Sequence, residues 1–163
     1  IDKAVEEAVV TSTTTTTTST TTTTTTIYDS TCIDYANELI NIWPGITDAV
    51  TSIFDVYSQL ANGNLSYSAG ANKLFDSNLA WNKATREFRS LNPNQENKNF
   101  HNKMLNVFDY ISESNEVGIK ALDEIDADQL ERAVSLASIG FETLQEATEL
   151  LPGGTLYGLR DAC

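Results

Sequence analysis

Histidine and methionine occur once each in this chain, cysteine twice and proline three times among 163 residues. Each shortage removes a class of chemistry. A lone imidazole, His101, excludes ligand sets built from several histidines, and Cys32 and Cys163 lack the Cys-x-x-Cys spacing of zinc and redox motifs. The acid nearest before His101 is Glu96, five positions away, so the Glu-x-x-His pattern of di-iron bundles is missing. No nucleophile elbow accompanies His101, which falls beside Phe100 early in an apolar helical pattern and is expected to be solvated or half-buried. Gly153-Gly154 follows a helical pattern instead of opening one, which argues against a phosphate loop. Asp126-Ala127-Asp128 has neither the loop glycine nor the terminal glutamate of an EF-hand. Neither a catalytic constellation, a metal site nor a cofactor site is therefore expected.

Positive charge is scarce as well: ten Lys and Arg stand against 23 Asp and Glu, a net charge of -13. Nucleic acid and anionic membrane surfaces would repel such a chain, and neither is expected as a partner. No apolar run approaches the length of a transmembrane helix.

What the chain has in excess is threonine. Residues 11–26 comprise fourteen threonines and two serines with nothing else between them. The tract divides the chain into a short head at 1–10, the low-complexity segment at 11–26 and a body at 27–163. Hydroxyl side chains bury too little apolar area to fold alone, yet β-branching makes them stiffer than a Gly/Ser linker. Fully extended, the sixteen residues would span about 50 Å. In an exported protein the run is a substrate for O-glycosylation, so Thr11, Ser12, Thr13, Thr14, Thr15, Thr16, Thr17, Thr18, Ser19, Thr20, Thr21, Thr22, Thr23, Thr24, Thr25 and Thr26 are candidate acceptors. The same composition also suits a bare linker or an element ordered by neighbouring chains. In the head, Ile1, Ala4, Val5, Ala8 and Val9 make an apolar stripe at helical spacing, with Asp2, Lys3, Glu6 and Glu7 facing away. Ten residues are too few for a stable isolated helix, so the stripe is a candidate assembly segment. The chain begins at Ile1 and shows no basic and apolar leader, as expected of a mature chain whose export signal has been removed.

The body reads as helix throughout. Cys32, Tyr35, Leu39, Ile42, Ile46, Ala49, Ile53, Val56 and Leu60 step alternately by three and four, and the phase survives Pro44-Gly45. One kinked helix is expected, ending at Asn62-Gly63-Asn64. Ser66 is placed to cap a second, with Tyr67, Gly70, Leu74, Ser77, Trp81, Ala84, Phe88 and Leu91 inward up to Asn92-Pro93. A third begins near Asn94 and carries Phe100, Met104, Val107, Ile111, Ser114, Gly118, Ala121 and Ile125. Asp126 or Asp128 opens a fourth, with Leu130, Val134, Ala137, Phe141, Leu144, Thr148 and Leu151 inward, stopped by Pro152-Gly153-Gly154. Long helices joined by short turns must run antiparallel to their neighbours. The expected fold is all-α, an up-down-up-down four-helix bundle preceded by an extended Thr-rich N-terminal segment.

That topology places Cys32, the exit of the threonine tract and the chain following the fourth helix at one end, the base. A Cys32–Cys163 disulfide is expected, with an intermolecular bond as the alternative. Asn64-Leu65-Ser66 is one N-glycosylation sequon, in the turn after the first helix. Residues 73–103 carry a local balance of +3 and residues 109–149 one of -9, so opposite ends of the bundle differ in charge. Such polarity suits head-to-tail stacking of copies. Together these features predict a non-enzymatic extracellular structural protein, secreted or at the cell surface. It is read as a glycosylated subunit of a filament or coat, a homo-oligomer assembled through its N-terminal segment. The alternative is a monomeric binding or adhesion module presented on a stalk.

Overall fold

The computed structural model describes residues 30–163. The head at 1–10 and the threonine tract at 11–26 lie outside the described residues. Five α-helices follow: α1 (Ser30–Ala61), α2 (Tyr67–Arg89), α3 (Lys98–Glu124), α4 (Ala127–Glu149) and α5 (Leu156–Ala162), with a 3-10 turn at Pro152–Gly154 before the last. No strand occurs among the described residues. The first four make the expected bundle, and α5 is an addition that the residue spacing did not announce.

Helix α1 continues through Pro44 as one element. The single Thr47 hydroxyl proton is shared between the carbonyls of Trp43 at 3.2 Å and Pro44 at 3.0 Å, in the turn that follows the proline. Its stripe packs inward as expected, with Ile42 and Leu60 half-buried. Ser66 caps α2, its hydroxyl accepting from the amide of Ala69 at 3.3 Å, and Asp126 caps α4 by accepting from Gln129 at 3.0 Å. Helix α3 starts at Lys98, later than expected, because Asn94 Oδ1 takes the Asn97 amide at 3.0 Å and holds a turn where the helix would otherwise begin.

Trp81, Tyr35, Phe88, Phe108, Leu39, Ile46, Ile53 and Met104 are fully buried and form the centre of the core. Four expected inward positions point outward instead. Tyr67 is exposed in the first turn of α2, and Val134 and Phe141 are exposed on α4. On α4 the cause is a stripe of small residues, where Ala133, Ala137, Gly140 and Ala147 are buried. They let α4 settle tightly on α3, the most intimately packed pair in the bundle. A Cβ at Gly140 would come within 2.7 Å of Ile111 Cδ1. Rotation toward α3 turns Val134 and Phe141 out of the core. Ile125, expected inward, is 72 % exposed because it ends α3 in the left-handed conformation.

Candidate functional site

At the base, the Cys32 and Cys163 sulfurs lie at disulfide-bonding distance, with Cα atoms 5.5 Å apart and 131 positions between them in sequence. Cys32 is buried in the first turn of α1, and Asn97 Nδ2 donates to its sulfur at 3.6 Å. The chain reaches this position because Pro152 and the glycines after it reverse its direction, and Thr155 caps α5 by accepting from the Gly158 amide at 2.9 Å. Leu159 then inserts into the core, and α5 lies on the start of α1. The point at which residues 27–29 lead into α1 is therefore the point that the cysteine pair clamps.

At the opposite end, α1 and α4 leave a gap. Their backbones come close at almost no point. Side chains bridge the seam midway, where the Phe54 and Phe141 rings meet edge-on with centroids 5.3 Å apart. Beyond that contact is a notch of about 210 Å³ lined by Tyr57, Leu60, Ala61, Tyr67, Leu130 and Val134. The Tyr57 hydroxyl turns away from the notch to donate to the Ser114 carbonyl at 3.0 Å, leaving the aromatic ring as lining. Burial pushes the Tyr57 phenol up to about 12, against the smaller lowering by Ser114. The notch is thus lined by aliphatic and aromatic side chains.

A broader groove of about 590 Å³ runs between α1 and α2. Small residues form its floor, among them Ala49, Ser52, Ser77 and Ala84, while Asp48, Asp55, Asp76, Lys73 and Lys83 stand at its sides. Ser52 and Ser77 hydrogen-bond to one another at 2.7 Å, with no imidazole beside either hydroxyl.

His101 departs from expectation. It is 7 % exposed, stacked on Phe88 at a centroid separation of 4.6 Å, with Nδ1 3.3 Å from the Tyr35 hydroxyl. Burial, and secondarily the charge of Arg89, lower its pKa from the usual value. The helical stripe placed Phe100 inward and left its neighbour undecided. Phe88 and Tyr35, distant in sequence, supply the pocket that buries the imidazole.

The sequon asparagine, Asn64, is exposed in the turn between α1 and α2. The basic residues toward the base are partly neutralised within the chain: Arg89 pairs with Asp109 at 2.7 Å and Lys103 with Glu146, while Arg86 and Lys98 have no ion-pair partner among the described residues. Asp123, Glu124, Asp126, Asp128 and Glu131 gather at the far end, answered there by Lys120 at 3.9 Å from Glu124. The charge polarity of the bundle is therefore mainly an acidic far end. Among the described residues, no three His, Cys, Asp or Glu side chains are placed to share a metal ion, and no helix is long and apolar enough to cross a membrane. No family model, curated protein or solved structure matches the chain.

Proposed function

We propose that this protein is a non-enzymatic extracellular structural protein, a glycosylated subunit of a cell-surface filament or coat that assembles through its N-terminal segment. The observation that carries this reading is the cysteine pair at the point where the N-terminal segment joins the bundle. A load applied through residues 1–29 arrives at the start of α1, and the clamp passes it directly to the C-terminal helix and the core. A disulfide also suits an oxidising compartment outside the cytosol. The threonine tract supplies a spacer of about 50 Å when extended, and dense O-linked sugars would hold it so.

Electron microscopy and sedimentation of native material test the assembly. Polymers are expected, and removal of residues 1–26 is expected to abolish them while leaving the helical circular-dichroism signal intact. A clean monomer at high concentration would instead favour a stalk-presented binding module. Intact mass tests the glycans: a mass equal to the bare chain with at most one disulfide removes them from the reading.

A further inference from the structure

Exposed apolar side chains are spread unevenly over the bundle. Among the described residues, α1 leaves no large apolar side chain exposed and α3 leaves only Tyr110, whereas α2 exposes Tyr67, Phe75 and Leu79 and α4 exposes Val134, Ile139 and Phe141. On α2, Phe75 and Leu79 are 54 % and 57 % exposed and lie four positions apart, with Asn82 and Arg86 continuing the same face at helical spacing. On α4, Val134 and Phe141 are 41 % and 42 % exposed and share a face with Ser138. Large apolar side chains ordered into stripes on surface helices mark contact surfaces.

The two stripes differ in charge. Helix α2 carries Lys73, Lys83, Arg86 and Arg89 against Asp76 and Glu87, while α4 carries five acids against Arg132 alone. Arg86 in the first stripe, and Glu131, Glu142 and Glu149 beside the second, have no ion-pair partner among the described residues. The stripes also look in opposite directions. Helices α2 and α4 each pack on α3 and hardly touch one another, so they occupy opposite corners of the bundle. The α2 stripe is turned from α1, whose side of α2 is the groove lined by Ser77, Ala80 and Ala84. The α4 stripe is turned toward α1, where Phe141 meets Phe54.

We propose that the α2 stripe of one copy packs against the α4 stripe of a second copy of this chain, the occupant that the opposite charges select. Heights agree as well. Asn115 Nδ2 donates to Asn78 Oδ1 at 3.4 Å and the Ser114 hydroxyl to the Ala133 carbonyl at 2.7 Å, which sets Asn78 and Ala133 at one level of the bundle. Leu79 and Val134 directly follow these residues, and two turns nearer the base Arg86 is level with Phe141 and Glu142. Bundles placed side by side in one orientation therefore bring Leu79 to Val134 and the Arg86 guanidinium to the Glu142 carboxylate. Each copy gives one stripe and accepts on the other, a heterologous contact that propagates sideways without closing. A contact through one helix of each copy is small beside the roughly 800 Å² per partner of a stable interface. It is weak alone and adds side-by-side order to copies gathered through their N-terminal segments, and to that extent it rests on the reading of the chain as an assembly subunit.

Crosslinking of full-length variants tests the contact. Asn82→Cys and Ser138→Cys stand within the two stripes without removing their apolar side chains, and the native cysteines are bonded to each other and silent toward maleimide. At high concentration, a short bis-maleimide is expected to join positions 82 and 138 in an equimolar mixture and to give few dimers from either variant alone. Adding Arg86→Glu to the Asn82→Cys chain is expected to lower the yield roughly three- to tenfold, and Glu142→Lys on the Ser138→Cys chain to restore it. Equal dimer yields from Asn82→Cys alone would mean that α2 stripes pair with each other, and no crosslink at all that the stripes meet something other than this chain. Either result, or a charge swap that restores nothing, overturns the proposal. Polymers of the unaltered chain without the 82 to 138 crosslink leave the filament reading standing, whereas a crosslink between chains that sediment as monomers ends that reading and keeps the contact. Circular dichroism of each variant confirms that the bundle is retained.

Discussion

Burying an imidazole between Phe88 and Tyr35 sets a sign for the pH dependence of stability. The native His101 binds its proton less tightly than the unfolded chain, whose histidine titrates near 6.5. The unfolded state therefore gains protons first as pH falls. Stability from this residue is complete above about pH 6.5 and declines below it, toward the lowered native value. Urea midpoints between pH 7 and 5 are expected to fall for the native sequence and to change less for His101→Phe. Equal slopes would show that His101 contributes nothing to this dependence. At pH 7.5 the same substitution leaves the Tyr35 hydroxyl without its partner and is expected to cost roughly 1–3 kcal/mol. Ile125 supplies the opposite kind of test. It stands at φ 57° and ψ 42°, a left-handed conformation that crowds a β-branched side chain, and it is 72 % exposed. Ile125→Gly removes that strain without removing core packing, and a gain of about 1 kcal/mol in denaturant unfolding is expected. The spacing of α3 assigned Ile125 to the core, because periodicity does not register where a helix stops.

Among the elements, α1 was fully legible and α4 only in part. The three-four stripe of α1 ran across Pro44 unbroken, and large side chains on one face leave a helix a single way to bury them. On α4 two stripes competed. Leu130, Val134 and Phe141 are larger, but Ala133, Ala137 and Gly140 allow backbone approach, and proximity to α3 prevailed. A pair of glycine substitutions separates these roles. Gly140→Val must displace Ile111 and Tyr110, so a loss of about 1–3 kcal/mol is expected from overpacking. Gly45→Ala meets nothing within 4 Å inside α1 and is expected to gain about 0.5–1 kcal/mol, as alanine replaces glycine in a helix interior. Thermal unfolding of both variants checks the contrast, and a gain from Gly140→Val would contradict the close packing of α3 and α4. Helix α5 escaped notice because its seven residues carry one buried leucine. Its docking depends on Gly158, where a Cβ would collide with the Pro152 carbonyl oxygen.

For the molecule as a whole, the cysteine pair closes a loop spanning 131 positions, worth about 5 kcal/mol in the loop-entropy picture. Domains of this size are commonly stable by about 5–15 kcal/mol, so the clamp is a large share of the total. Adding reductant, or replacing Cys163 with Ser, is expected to lower the denaturation midpoint sharply. Hydrogen exchange is expected to show α5 opening before the four long helices. An unchanged midpoint after reduction would mean that the core alone carries the fold. The sequence by itself determined the helical class, four of the helices, their antiparallel order and the shared end of the two cysteines. Those properties follow from local spacing and turn residues, which act over a few positions along the chain. Only the tertiary structure decided which of two stripes α4 buries, that His101 is enclosed and that α5 packs on the start of α1. Each depends on how closely two helices approach, a distance set by the side chains of both partners and legible in neither alone.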